Sequence, residues 1–392
     1  MATDTYWQLE HEYYTIATDH DLIVRVIEHE DIERTEGEGI DAKIVKDFVP
    51  NKVHEFKVKR SVLANSSEYF QKLLDTNSSF KESQQSRIDL LGDEARSAEI
   101  WFKILHGSPS GLTNLDITIK NVWEMLLIAH KYGLDPKLPV AKAWFEAWWI
   151  ANKKKANGST FGFGEYRELL FPCHTFEYAP GFAAATKYLA YNTIGHITEQ
   201  RPNGFHHHHL RLDQGIVQQI NAAKGRLKSI LHDGLYTPIE KLLESSRCSC
   251  KEHTLYAYQK SLTNTEAWPL EKKFSKNSIT ALHDKLEGFS HTALVPKMCY
   301  DCRIDFGHVV HEAVRNTSSY FDGLCLDCMN TSKPKFGDAD EDYWKHSRQG
   351  VSWDFNCRIR HGQPSWYFSF MGRKQKMMEW VHRPRYRNRS DS

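Results

Sequence analysis

The chain has 392 residues, 40% of them hydrophobic, and a formal net charge of +1. That is enough apolar material for two or three packed domains of roughly 100–200 residues each, with no overall field to draw the molecule onto nucleic acid or a membrane. No apolar run approaches the ~20 residues that span a bilayer. The opening MATDTYWQLEHEYY has neither the basic nor the apolar region of a secretory leader. An intracellular protein, nuclear or cytoplasmic, is therefore expected, with its eight cysteines reduced. In that setting clustered cysteines point to metal ligation rather than to disulfides.

DLIVRVIE (21–28) is rich in β-branched residues and predicts a strand. The acidic, Gly-containing HEDIERTEGEGIDAK (29–43) predicts a solvated loop, and KVHEFKV (52–58) a second strand. SVLANSSEYFQKLL (61–74) turns helical, with Asn65 and Glu68 at capping-box spacing and Tyr69, Phe70, Leu73 and Leu74 as an apolar stripe. SRIDLL predicts a short strand. ARSAEIWFKILHG and NVWEMLLIAHKYGLD predict helices with Gly107 and Gly133 near their ends.

The stretches DLIVRV, FKVKRSVLANSSEYFQKLL, IDLLGDEARSAEIWFKILHG and MLLIAHKYGLD, in that order and spacing, resemble a BTB/POZ domain over roughly residues 15–150. Two features depart from the family pattern. Lys59-Arg60 stands where a His–Arg or His–Lys pair is usual, and the first hairpin is long, through roughly Asp31–Asn51. The resemblance implies a short mixed sheet capped by helices, and a role in binding: homodimerisation, or adaptor function on a cullin-type ubiquitin ligase scaffold. Phe80-Lys81-Glu82 lies where adaptor members carry a hydrophobic-x-Glu motif, so Phe80 and Glu82 are candidate partner-binding residues, an exposed aromatic for a pocket and a carboxylate for orientation.

The middle of the chain, residues 165–247, reads as a helical extension. Ahead of it, Trp144, Phe145, Trp148 and Trp149 form a core-like face, and a Gly-rich stretch around Gly158, Gly162 and Gly164 reads as a linker. The internal run His206–His209 predicts a polar loop, because adjacent side chains diverge and seldom converge on one ion. Cys173 has no catalytic partner in the sequence and reads as a buried free thiol.

Residues 248–370 hold seven of the eight cysteines. Two Cys-x-x-Cys knuckles, Cys299/Cys302 and Cys325/Cys328, are separated by 22 residues. Their spacing suggests one structural zinc site of four thiolates. Cys248, Cys250, Cys357 and His361 then form a second set of Cys3His type, with His253 competing for the fourth place and Asp301, Asp327 and His308 as remoter alternatives. An interleaved arrangement, each ion drawing on both knuckle pairs, is a further option. The segments YFDGLCLDCM, DEDYW and WYFSFMGRK also resemble the C-terminal region of a group of fungal BTB-domain proteins with the same paired knuckles.

The expected architecture is α+β: a BTB/POZ domain, a helical middle, a small zinc-stapled C-terminal region and a basic tail at 371–392. No Gly-rich phosphate loop, acid–base pair, nucleophile signature or HExxH occurs, so an enzyme is not expected. The expected function is that of a protein-interaction adaptor. The alternative is a nuclear regulator contacting nucleic acid through the tail GRKQKMMEWVHRPRYRNRS, with seven Lys/Arg against one Glu. Nucleic acid is the less expected partner, because the knuckle linker RIDFGHVVHEAVRN offers no basic face.

Overall fold

The computed structural model describes residues 6–36, 43–75, 85–107, 117–153, 161–244, 248–294, 299–300, 302–332 and 357–361. The chain divides into two compact units. The first comprises Met1–Phe161 with Thr175–Tyr178 and Arg201–Leu210, and the second the remainder.

In the first unit, β1 (Glu10–Thr15), β2 (Leu22–Glu36), β3 (Lys43–Val58) and β4 (Arg87–Leu91) form one mixed sheet of order β1-β3-β2-β4. β2 and β3 pair antiparallel from Leu22↔Val58 to Glu36↔Lys43, with a register shift at Glu28/His29. β1 runs parallel to β3 and β4 parallel to β2. The stretch read as a solvated loop after Glu28 is therefore mostly strand: backbone pairing overrides its acidic, Gly-bearing composition. β1 escaped the sequence reading because EHEYYT sits at a sheet edge with no fully buried side chain.

Leu22, Val24, Val26, Phe56 and Val58 are fully buried, alternating along the strands as period-2 geometry requires. The helices are α1 (Arg60–Ala64), α2 (Glu68–Leu74), α3 (Ala95–Leu105), α4 (Ile119–Tyr132) and α5 (Pro139–Lys153). The expected cap at Asn65 is displaced. Asn65 ends α1, and Ser67 caps α2 by accepting from the Phe70 N–H at 3.2 Å. Phe102 of α3 meets Phe56 edge-on at 5.3 Å. The buried indoles of Trp101 and Trp148 donate to the carbonyls of Met125 (2.8 Å) and Ile117 (2.9 Å), so their polar ends cost nothing to bury. Gly133 closes α4 in the left-handed region at φ 66°.

The second unit is helical: α6 (Phe163–Thr175, its last residue assigned to the first unit), α7 (Ala179–Asn192), α8 (Gln214–Glu244), α9 (Lys251–Asn264), α10 (Leu270–Phe274), α11 (Ile279–Glu287), α12 (Phe306–Ser318) and α13 (Leu326–Ser332). α8 carries a buried stripe, Ile216, Ile220, Ala223, Leu227, Leu231, Leu235, Ile239 and Leu242, at the 3–4 spacing of one helix face. Phe306, Val310 and Ala313 of α12, Tyr258 and Leu262 of α9, and Leu282 and Leu286 of α11 complete this core. No helix of the described residues is long and apolar enough to cross a membrane.

Candidate metal centres

The ligand geometry is set by α12. Asp305 caps it, accepting from the His308 N–H at 2.9 Å. Its thirteen residues span about 20 Å at 1.5 Å per residue. Cys302 stands just before the helix and Cys325 beyond its far end. Thiols on one tetrahedral ion with 2.3 Å bonds lie only about 3.8 Å apart. Among the described residues the two knuckles are not brought together as their spacing suggested: neither the four-knuckle group, nor an interleaved one, nor the expected second set is found.

Instead each knuckle keeps its two thiols and recruits half of the other set. Cys248, Cys250, Cys299 and Cys302 form one group, and Cys325, Cys328, Cys357 and His361 the other, with all ligand atoms of a group within 4.8 Å of one another. In the first, Cys248 and Cys250 occupy the turn that leads into α9, with Cys250 at its N-cap. Cys248 Sγ lies 3.3 Å from Cys302 Sγ and 3.4 Å from Cys250 Sγ. In the second, Cys325 directly precedes α13 and Cys328 sits in its first turn. Cys328 Sγ is 3.5 Å from Cys357 Sγ and 3.4 Å from His361 Nε2.

The second group has its own scaffold. Tyr191 of α7 donates to the Thr317 carbonyl at 2.8 Å, and Thr186 accepts from the Leu324 N–H at 2.8 Å. Asp327 accepts from the Arg358 backbone N–H at 2.8 Å and from its guanidinium at 2.9 Å. Arg358, which the sequence analysis did not single out, thus ties the 357–361 segment to α13. Asp327 is engaged there and His308 and His253 are exposed; none of the three belongs to either group.

The thiols share protons unevenly. Hydrogen bonds from the Cys302 and Cys299 thiols hold Cys248 down at about 7, and burial pushes Cys302 well up. Hydrogen bonds from Cys328 and Cys357 hold Cys325 low, and Cys328 is driven up by its bond to Cys325. Each group is thus a compact set of soft donors, and each could hold a metal ion.

Of the other expectations, Phe80, Glu82 and the basic tail lie outside the described residues. His206–His209 is a non-helical, exposed run in which His209 packs its ring against His130 at 4.8 Å; it joins neither metal-ready group. Cys173 is fully buried, and burial pushes its thiol well up.

Residues 34–139, from the end of β2 to the start of α5, match the family model of the BTB/POZ domain. The chain carries a BTB/POZ domain. No curated protein and no solved structure matches the chain significantly. The BTB domain is a protein-interaction module, and the small mixed sheet with helices around it agrees with that assignment. Where Lys59-Arg60 departs from the family pattern, both residues are tied down at the start of α1, just after β3. The Lys59 N–H donates to His106 Nε2 at 2.9 Å and its ammonium pairs with Asp19 at 3.0 Å, while the Arg60 N–H donates to Asp21 at 2.7 Å.

Proposed function

We propose that the protein is an adaptor whose BTB domain engages a partner, either a second copy or a cullin-type scaffold, while the helical second unit presents a surface to a client. The match over residues 34–139 carries the binding role. The two donor groups support a zinc-stapled second unit. Four thiolates, or three thiolates and an imidazole, complete a tetrahedral zinc sphere, and a closed sphere serves structure rather than catalysis. Zinc supplies folding free energy there: Cys248, Cys250 and Cys299 pack against the core cluster of α8, α9, α11 and α12, where the ion joins the start of α9 to the entrance of α12. Cys325, Cys328, Cys357 and His361 do the same for α13 and the 357–361 segment.

Metal analysis of the purified chain tests the zinc assignment. Two zinc ions per chain are expected. Cys248→Ser with Cys299→Ser removes one ion, because the two share a site; loss of both ions from that double variant would restore the pairing by sequence spacing. For the adaptor role, sedimentation of the purified protein and titration against a purified cullin scaffold are decisive. The absence of both self-association and scaffold binding would defeat it.

A further inference from the structure

The two donor groups differ in what surrounds them. Cys248, Cys250 and Cys299 are half-buried and only Cys302 is buried, whereas in the other group Cys325, Cys328 and His361 are buried and only Cys357 is half-buried. A small reagent thus reaches three sulfurs of the first group and one of the second. The donor chemistry runs the same way. Four thiolates around a divalent ion leave a net charge of −2, and three thiolates with a neutral imidazole leave −1, so the sulfurs of the first group are the stronger nucleophiles. The first group also brings partners within reach of each other: Cys248 lies next to both Cys302 and Cys250.

We propose that the group Cys248, Cys250, Cys299 and Cys302 is a thiol-modification site for small disulfides, and that the group at Cys325 is not. The inference rests on the zinc reading above. One exposed thiolate attacks a sulfur of the incoming disulfide RSSR. A protein–S–SR bond forms, and the first RS⁻ leaves. A neighbouring thiolate then displaces the second RS⁻, closing a disulfide within the group. Two electrons pass from the two protein sulfurs to the reagent, which departs as two thiolates. The ion, left with two of its four ligands, dissociates as M²⁺, and the remaining pair of thiolates takes up protons from solvent.

The consequence is local. Cys250 begins α9, and the Thr254 hydroxyl donates to its carbonyl at 2.9 Å. Cys302 stands at the entrance of α12. Losing the ion unties these two helix starts from each other, while Tyr191, Thr186 and the Asp327–Arg358 pair continue to hold the far end of α12 and the second group.

The experiment uses the full-length chain carrying two zinc ions and oxidised glutathione as the probe. Released zinc is followed with a chromogenic chelator, and disulfides are mapped by peptide mass spectrometry. One equivalent of zinc is expected to leave about tenfold or more faster than the second, with disulfides confined to Cys248, Cys250, Cys299 and Cys302. Amide exchange should rise at the starts of α9 and α12 and stay low over 324–329. A dithiol reductant with added zinc should reverse all of it. Release of both ions in one phase, first disulfides at Cys325, Cys328 or Cys357, or no release under conditions that oxidise a free thiol peptide would overturn the proposal. A chain that purifies without zinc refutes the metal reading itself, a result seen before any oxidant is added.

Discussion

Gly234 on α8 faces Ala313 on α12 so closely that a side-chain carbon added to Gly234 would stand 2.7 Å from the Ala313 Cβ and 3.1 Å from its Cα. The absence of a side chain at one position sets how near the two helices lie, and with it where α12 delivers Cys302. Gly225, on the same helix, has open space around it. Gly234→Ala is expected to destabilise the protein by about 1–3 kcal/mol through overpacking, and Gly225→Ala to stabilise it by about 0.5–1 kcal/mol through helix propensity. Urea denaturation of the two variants checks both signs, and a stabilised Gly234→Ala would contradict the packing.

Gly323 makes a second demand. It holds φ +95°, and a Cβ there would lie 2.0 Å from the Ala183 carbonyl oxygen. Gly323→Ala should cost about 3 kcal/mol or more. Because the residue immediately precedes Leu324 and Cys325, the variant should lose the zinc held at Cys325 while keeping the one at Cys248. Metal content of the purified variant decides the point.

Ser67, not Asn65, accepts the orphan N–H at the start of α2. Ser67→Ala should lower stability by about 1 kcal/mol, and Asn65→Ala by much less. Equal effects in thermal melts would return the cap to Asn65.

Glu124 on α4 is half-buried near Glu94 and Asp93, and burial, with repulsion from Glu94, lifts its carboxyl to about 7. The folded state thus holds a proton that the unfolded chain releases near the ordinary carboxylate value. The resulting stability is fully present below that ordinary value and is lost as pH rises towards 7. Glu124→Gln should be close to neutral at pH 4 and stabilising at pH 8, by about 1–2 kcal/mol after allowance for solvent screening. A pH-independent effect in urea melts would show that Glu124 does not titrate this way.

All eight donors lie in the second unit, so chelation should act there alone. Exhaustive treatment with a zinc chelator is expected to lower the thermal midpoint of the second unit and raise amide exchange in α9, α12 and α13, leaving β2, β3 and α3 protected. Protection lost equally across β2 and β3 would mean that the units do not melt separately.

The residue types were more legible in the sequence than their partnerships. The knuckles, Cys248, Cys250, Cys357 and His361 stand out because thiols and imidazoles at short spacings have few other uses in a reduced chain. Their division does not, since it depends on α12 forming a straight spacer and on α9 returning to meet its start, and neither is local information. The BTB segment was readable from element order. β1 was not, because an edge strand leaves its side chains half-exposed and loses the alternation that marks a buried one. The ribbon beyond Glu28 was missed for a related reason: its strands are defined by pairing with each other, and an acidic composition masks that.

The spacer also bears on the order of assembly. In the extended chain nothing keeps Cys299, Cys302, Cys325 and Cys328 apart, and an ion arriving early closes the shorter loop through both knuckles, the easier one to form entropically. Such a species differs from the grouping of the folded chain, in which Cys299 and Cys302 lie with Cys248 and Cys250. With α12 packed on α8 through Gly234 and Ala313, one knuckle lies with Cys248 and Cys250 and the other with Cys357 and His361. The close packing of α12 on α8 thus favours one of two donor sets that are equally sound in their chemistry.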